Sequence, residues 1–185
     1  EPEHEPYKLC TFSRVMKEKG IEDAIDAVRS VNAHFGRTVY TLDIFGQVDV
    51  EYKERFSQLE KSFPDYISYG GAIEANKSVE TLKSYFTLLF PTYYKGEGFA
   101  GTLIDAMSAG VPVISSDWKY NPEFVVPGKT GVIIKNCNAE RLAEELINIA
   151  AAPEKWNSMR LSALKESEKY KPDIAARPLI DRING

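Results

Sequence analysis

Short apolar runs alternate with stretches of helical periodicity along the chain. Six apolar runs have the length and composition of buried strands and lie at 7–13, 38–45, 65–69, 86–90, 112–116 and 131–134. Apolar residues at helical spacing predict helices at 21–35, 51–63, 77–84, 98–109, 139–151 and 153–170. The alternation predicts a doubly wound, six-stranded parallel α/β sheet of the Rossmann-like kind, with right-handed crossovers and helices on both faces.

The two ends of the chain differ from this pattern. The opening EPEHEP has proline and charge without periodicity, and the closing PDIAARPLIDRING has weak amphipathicity and two prolines. We therefore expect an interdomain linker at 1–6, one folded α/β domain at 7–170, and a C-terminal tail at 171–185. Because the chain starts with Glu1 rather than methionine, we expect it to be cut from a longer protein.

The amino-acid composition excludes several classes of protein. In 185 residues, 43% are hydrophobic and 27% are charged, which allows a real core and excludes an intrinsically disordered chain. The net charge of -4 argues against nucleic acid as a partner. No apolar run approaches the roughly 18 residues that span a bilayer. Cys10 and Cys137 are expected to be buried free thiols, and two histidines without a C-x-x-C argue against zinc.

The chemistry is expected at the switch point of the sheet. With the common strand order 3-2-1-4-5-6, that point lies between the first and fourth strands. The loop at 91–101 is rich in glycine and opens a predicted helix, so its amides at Gly98 to Thr102 favour an anion. Arg14 and Lys19, after the first strand, would face it and complete a diphosphate site. The alternative is that both are ordinary surface cations.

A second pattern competes with this one. Residues 96–101 match G-x-G-x-x-G, and Asp117 lies about 20 residues on, as in a dinucleotide-binding fingerprint. That interpretation is weaker because PTYYK separates the glycines from the strand and three strands precede it. It also leaves Arg14 and Lys19 without a role.

Two acids frame the same predicted helix. If Glu97 and Asp105 both belong to it, they lie about 12 Å apart along the axis and point roughly 80° apart. They would then contact different parts of a long ligand. The alternative is that Glu97 stabilises the helix dipole and Asp105 is a solvated surface acid.

Longer motifs give a family resemblance over about 7–150. G-R-L and E-K-G correspond to Ser13-Arg14-Val15 and Glu18-Lys19-Gly20, and glycine-containing strand ends correspond to IFG (44–46) and YGG (69–71). The signature P-S-x-x-E-G-F-x-x-x-x-x-E-A-M-A-x-G-x-P-V-I-A-S-D corresponds to PTYYKGEGFAGTLIDAMSAGVPVISSD (91–117). Further matches are PEFV (122–125) and GKTGVII (128–134). The chain resembles the C-terminal, donor-binding half of a retaining GT-B glycosyltransferase of family four (glycosyl transferases group 1).

The resemblance implies roles for individual residues. Arg14 and Lys19 would hold the donor diphosphate, and Glu97 would bind hydroxyls of the transferred sugar. These three are the expected catalytic residues. The expected binding residues for sugar, phosphate, ribose and base are Gly98, Phe99, Ala100, Gly101, Thr102, Asp105, Gly71 and Ile73. Asp105 is one methylene shorter than the family's second glutamate, Ser13 replaces a glycine, and a Lys95-Gly96 pair lengthens the loop before Glu97.

The implied reaction is transfer of a hexose from a UDP-sugar or GDP-sugar, with retention, to a glycan or lipid-linked acceptor in polysaccharide or glycolipid biosynthesis. No tightly bound cofactor and no metal are expected, because the two cations make a divalent ion unnecessary. The resemblance implies that the acceptor site would belong to an N-terminal domain outside these 185 residues, so we expect little turnover from this chain alone. The whole enzyme is expected in the cytoplasm, at the inner face of the membrane. The alternatives are an NAD(P)-dependent oxidoreductase domain and a non-catalytic nucleotide-binding domain.

Overall fold

Six parallel strands form the centre of the protein in a computed structural model that describes residues 4–135, 137–175 and 182. They are β1 (Tyr7–Phe12), β2 (Tyr40–Phe45), β3 (Ile67–Gly71), β4 (Thr87–Phe90), β5 (Val113–Ser116) and β6 (Gly131–Ile134). The order across the sheet is β3-β2-β1-β4-β5-β6, and every neighbouring pair is parallel. The predicted fold class and strand order are confirmed, with the switch point between β1 and β4.

Helices cover both faces of the sheet. They are α1 (Ile21–Phe35), α2 (Lys53–Glu60), α3 (Ser78–Leu82), α4 (Gly101–Ser108), α5 (Asn121–Phe124), α6 (Ala139–Ala151), α7 (Pro153–Ser167) and α8 (Pro172–Ala175). One buried apolar cluster joins the sheet to α1, α2 and α6, and a second joins it to α3, α4 and α5. Because both faces are buried, the strands are short apolar runs rather than alternating ones.

Several predicted boundaries are wrong for local reasons. The helix predicted at 98–109 begins only at Gly101, because Ala100 has a non-helical backbone (φ −86, ψ 86) and two glycines favour the loop. The third strand, predicted at 65–69, continues through Gly71. A Cβ on Gly70 would lie 2.2 Å from the Phe45 ring, so glycine here allows close packing rather than ending the strand.

Two further differences concern helices. The helix predicted at 51–63 is a 3₁₀ turn (Val50–Tyr52) followed by α2, and it ends at Glu60 rather than just before Pro64. The one-turn helix α5 was not predicted, since four residues are too few to show a period. The predicted tail, 171–185, includes α8, and its residues 176–181 and 183–185 lie outside the described part of the chain.

Both thiols are free, as expected, but only Cys10 is fully buried, while Cys137 is half-buried. Burial raises the pKa of both thiols, that of Cys137 to about 12. Within the described residues, each helix is too short or too polar to cross a membrane.

Candidate functional site

The loops that follow β1 and β4 are in direct contact at the switch point. Gly20 has a left-handed backbone (φ 72), and a Cβ there would lie 2.4 Å from the carbonyl oxygen of Pro91. The Tyr93 amide donates to the Glu18 carbonyl at 2.8 Å. Only glycine allows this approach without strain, so the E-K-G turn and the loop after β4 form one unit.

Lys19 and Glu97 form an ion pair inside this unit. The Lys19 ammonium lies 2.8 Å from Oε1 and 2.7 Å from Oε2 of Glu97. The two side chains are only 11% and 8% exposed. The ammonium also lies 5.1 Å from the centre of the Tyr94 ring, a cation–π contact. Because water is largely excluded, each charge depends on the other far more than in a surface pair.

A β-turn places Glu97 over the cleft. The Glu97 amide donates to the Tyr94 carbonyl at 3.0 Å, so Lys95 and Gly96 are the central residues of the turn. A Cβ on Gly96 would lie 2.6 Å from the Tyr94 ring. Lys95 and Gly96, which lengthen this loop relative to the family signature, thus form a turn whose two ends, Tyr94 and Glu97, lie next to each other.

The loop after β5 supports the same turn from behind. The Trp118 indole donates to the Tyr94 carbonyl at 2.7 Å, and the Ser116 hydroxyl donates to the Thr92 carbonyl at 2.5 Å. The Lys119 ammonium contacts the Lys95 carbonyl. These bonds satisfy the backbone of an otherwise irregular loop and hold it in one position.

Arg14, in the loop after β1, lines the same cleft as Lys19 and Glu97. Its side chain is 59% exposed, and its guanidinium lies 3.5 Å from a carboxylate oxygen of Asp49. Gly46 (φ 137) sets this position, since a Cβ on it would lie 1.7 Å from the Ser13 carbonyl oxygen. An exposed pair of this kind is weak, so Arg14 can exchange its partner for an anion at small cost.

These loops enclose a cleft of about 350 Å³. Arg14, Lys19 and Glu97, the predicted catalytic residues, all line it, as do residues 98–102. The predicted row of helix amides is instead a loop followed by the first turn of α4, and the Gly101 amide donates to Phe99 at 3.2 Å. Thr102 ties that turn to β1 through a 2.9 Å bond to the Phe12 carbonyl.

Three predicted binding residues lie beside the cleft rather than in its lining. Asp105 accepts a 2.6 Å hydrogen bond from Ser78, the first residue of α3. Ile73 packs in the same apolar cluster as α4, and Gly71 ends β3. β3 is two strands from β1, roughly 10 Å away. The assumed geometry of Glu97 and Asp105 is also wrong, because Glu97 precedes α4 by four residues.

The dinucleotide fingerprint does not have its required structure. β4 ends at Phe90 and α4 begins at Gly101, so ten residues separate strand and helix. Gly96 lies in a β-turn rather than in a tight turn directly after the strand. The glycines therefore match that pattern in sequence only.

Two ionisable side chains outside the cleft lining, Tyr93 and Glu22, have shifted pKa values. Burial, reinforced by Asp23 and Glu18, raises the pKa of the Tyr93 phenol, which stays protonated. Hydrogen bonding to Arg55 lowers the pKa of Glu22 at the start of α1. Across residues 4–135, 137–175 and 182, no three His, Cys, Asp or Glu side chains are grouped to hold a metal ion.

Sequence reasoning missed three residues of the site. Thr92 is fully buried and hydrogen-bonds Glu97, Tyr94 covers Lys19, and Asp49 pairs with Arg14. Thr92 stands where the family signature has serine, so the hydroxyl was visible in the motif. Tyr94 and Asp49 gave no local signal, because their contacts depend on how separate loops meet.

Comparison with known proteins gives concordant matches. The profile of the family described as "Glycosyl transferases group 1" matches residues 1–166. The "UDP-N-acetylglucosamine--peptide N-acetylglucosaminyltransferase GtfA subunit" of Streptococcus gordonii is 33% identical over 130 residues, 70% of this chain and 24% of that protein. The "Amylovoran biosynthesis glycosyltransferase AmsK" of Erwinia amylovora is 26% identical over 187 aligned residues, 96% of this chain and 44% of that protein.

The fold has a solved counterpart. The crystal structure of HepE from Anabaena in complex with UDP and glucose superposes with a TM-score of 0.81 at 15% identity, covering 96% of this chain and 48% of that chain. This chain thus spans less than half the length of each of these relatives.

Proposed function

The chain belongs to the glycosyl transferases group 1 family and has the fold of the C-terminal GT-B domain, and we propose that it binds the nucleotide-sugar donor of a retaining glycosyltransferase. The observation that carries this proposal is the buried Lys19–Glu97 pair at the switch point, with Arg14 lining the same cleft. We assign the two cations to the donor diphosphate and the carboxylate to the sugar.

The hydrogen-bonding capacity of the pair supports this division of labour. An ammonium has three N–H donors, and Glu97 takes at most two of them, so Lys19 retains one for a phosphate oxygen. The weakly held Arg14 supplies a second cation. As the bond from the sugar to the diphosphate breaks, both cations and the first turn of α4 would stabilise the charge on the leaving oxygen.

The nucleoside would extend away from the cleft toward β3. Asp105 and Ile73 lie on that side, where a carboxylate can accept from a ribose hydroxyl and an apolar side chain can pack against a base. Relatives named for UDP-N-acetylglucosamine or solved with UDP and glucose make a UDP-sugar the first donor to test, with a GDP-sugar as the second.

The remainder of the enzyme would supply the acceptor. Because the chain spans 24% and 44% of the two relatives, we assign acceptor binding to an N-terminal domain and the product to a polysaccharide or glycolipid. That domain would place the enzyme at the cytoplasmic face of a membrane. Efficient transfer by the 185-residue chain alone would contradict this assignment.

Calorimetry tests donor binding directly. UDP, GDP and ADP are titrated into the chain, and we expect at least one to bind. Arg14→Ala should weaken that binding roughly tenfold by removing a charge-assisted contact. Arg29→Ala on α1, whose partners are Asp26 and Ser62, is the matched control and should bind as the wild type does. Binding of none of the three nucleotides would reject the proposal.

A further inference from the structure

Thr92 is a fully buried residue whose hydroxyl is committed to Glu97. Its Oγ1 lies 2.6 Å from Oε2 of Glu97, and its side chain has no exposed surface. The Tyr94 amide donates to Oγ1 of Thr92 at 3.2 Å. The hydroxyl thus accepts from Tyr94, and its single proton has two acceptors within reach, Oε2 of Glu97 at 2.6 Å and the Glu18 carbonyl oxygen at 3.4 Å. We assign the proton to Glu97, because that bond is much shorter and its acceptor is charged.

The hydrogen bonds that Glu97 already accepts leave one acceptor position of its carboxylate free. A carboxylate has about four acceptor positions. Lys19 occupies one on each oxygen and Thr92 occupies the second on Oε2, so the remaining position is on Oε1. Glu97 can thus accept one further hydrogen bond, and only through the oxygen that Thr92 does not hold.

We propose that Thr92 is a positioning residue that directs Oε1 of Glu97 to a hydroxyl of the donor sugar. The inference rests on the proposed donor-binding function. Lys19 alone cannot fix the carboxylate, since its ammonium bonds both oxygens and can follow the group as it turns. Thr92 is attached to the end of β4 through Pro91, and its hydroxyl binds only one of the oxygens.

The chain contains a matched control for this hydroxyl. Thr87, on β4, is also fully buried, and its Oγ1 has no hydrogen-bond partner in the described part of the chain. Replacing either threonine by valine removes a buried hydroxyl and keeps the shape of the side chain. Only the change at Thr92 removes a bond to the carboxylate.

The test compares UDP with UDP-glucose and UDP-N-acetylglucosamine by calorimetry. In the wild type, we expect one of the two sugars to tighten binding relative to UDP. Thr92→Val should reduce that gain about tenfold, the effect of losing one hydrogen bond to a charged group, and leave UDP affinity unchanged. Thr92→Ser keeps the hydroxyl and should restore the gain, while Thr87→Val should leave both affinities unchanged.

Each result separates the two proposals. Loss of UDP and UDP-sugar binding by the same factor in Thr92→Val would overturn the positioning role, as would an undiminished sugar gain. A wild type that binds UDP but gains nothing from either sugar would also overturn it while leaving nucleotide binding intact. If no nucleotide binds, the proposed function itself fails. Thermal unfolding checks the fold, and Thr92→Ala repeats the measurement if the valine variant does not fold.

Discussion

Breaking the Lys19–Glu97 pair should destabilise the chain far more than breaking a surface pair. Lys19→Met leaves Glu97 as a carboxylate that is 8% exposed, with Thr92 as its one remaining side-chain donor among the described residues. Removal of one partner from a buried pair costs about 3–5 kcal/mol. Glu97→Gln should cost less, because the amide oxygen can still accept from Lys19. In the double variant, no unpaired charge remains on the carboxylate side, so much of the loss should be recovered.

A double-mutant cycle isolates this coupling. Free energies of unfolding from urea titrations followed by circular dichroism give the four corners, and we expect a coupling of about 2–3 kcal/mol. Lys83 and Glu80, at 2.7 Å with side chains 54% and 78% exposed, are the control cycle. Their coupling should be about 0.5 kcal/mol or less.

Salt sharpens the comparison. At 1 M NaCl the screening length falls to about 3 Å, which should abolish the coupling of the exposed pair and preserve most of that between Lys19 and Glu97. A Lys19–Glu97 coupling below about 1 kcal/mol, or one that salt removes, would refute the conclusion that the pair is excluded from water.

Three further perturbations test other parts of the site. Gly20→Ala should lower the free energy of unfolding by about 2 kcal/mol or more and weaken UDP binding, because the new Cβ meets Pro91. Gly36→Ala is the control, with a similar backbone (φ 63) and open space; it should cost about 1 kcal/mol and leave binding unchanged. Equal losses of stability would contradict the close contact between Gly20 and the loop after β4. Asp49→Asn should strengthen UDP binding about two- to threefold by releasing Arg14 from its ionic partner, and weaker binding would count against that competition. Iodoacetamide at pH 8 should modify Cys137 about a hundredfold more slowly in the native chain than in urea, since burial raises its pKa to about 12 and disfavours the thiolate; similar rates would show that the thiol is accessible.

Much of the fold followed from local pattern. Apolar runs with intervening helical periods determined a parallel sheet, and the switch point then brought Arg14, Lys19 and Glu97 to one cleft. The start of α4 did not follow, because glycines at 98 and 101 make both loop and helix accessible and the surrounding contacts decide between them.

The contacts between residues within the site could not be predicted from sequence patterns. Lys19 and Glu97 are 78 residues apart, and sequence shows that both reach the switch point but not that they bind each other. Asp105 is a similar case, since its bond to Ser78 depends on how α3 packs against α4. Motifs thus identified the charged residues that line the cleft, while their pairing could be seen only in the three-dimensional contacts.

Because Lys95 and Gly96 form a closed β-turn, the position of the Glu97 carboxylate does not depend on the length of the loop. The hydrogen bond between Tyr94 and Glu97 holds the two ends of the turn together. The residues between them are exposed and lie at the edge of the cleft. Insertions or deletions confined to these residues should change the exposed surface beside the cleft while the Glu97 carboxylate stays in place. The length of this turn can therefore vary among related chains while the Lys19–Glu97 pair is kept.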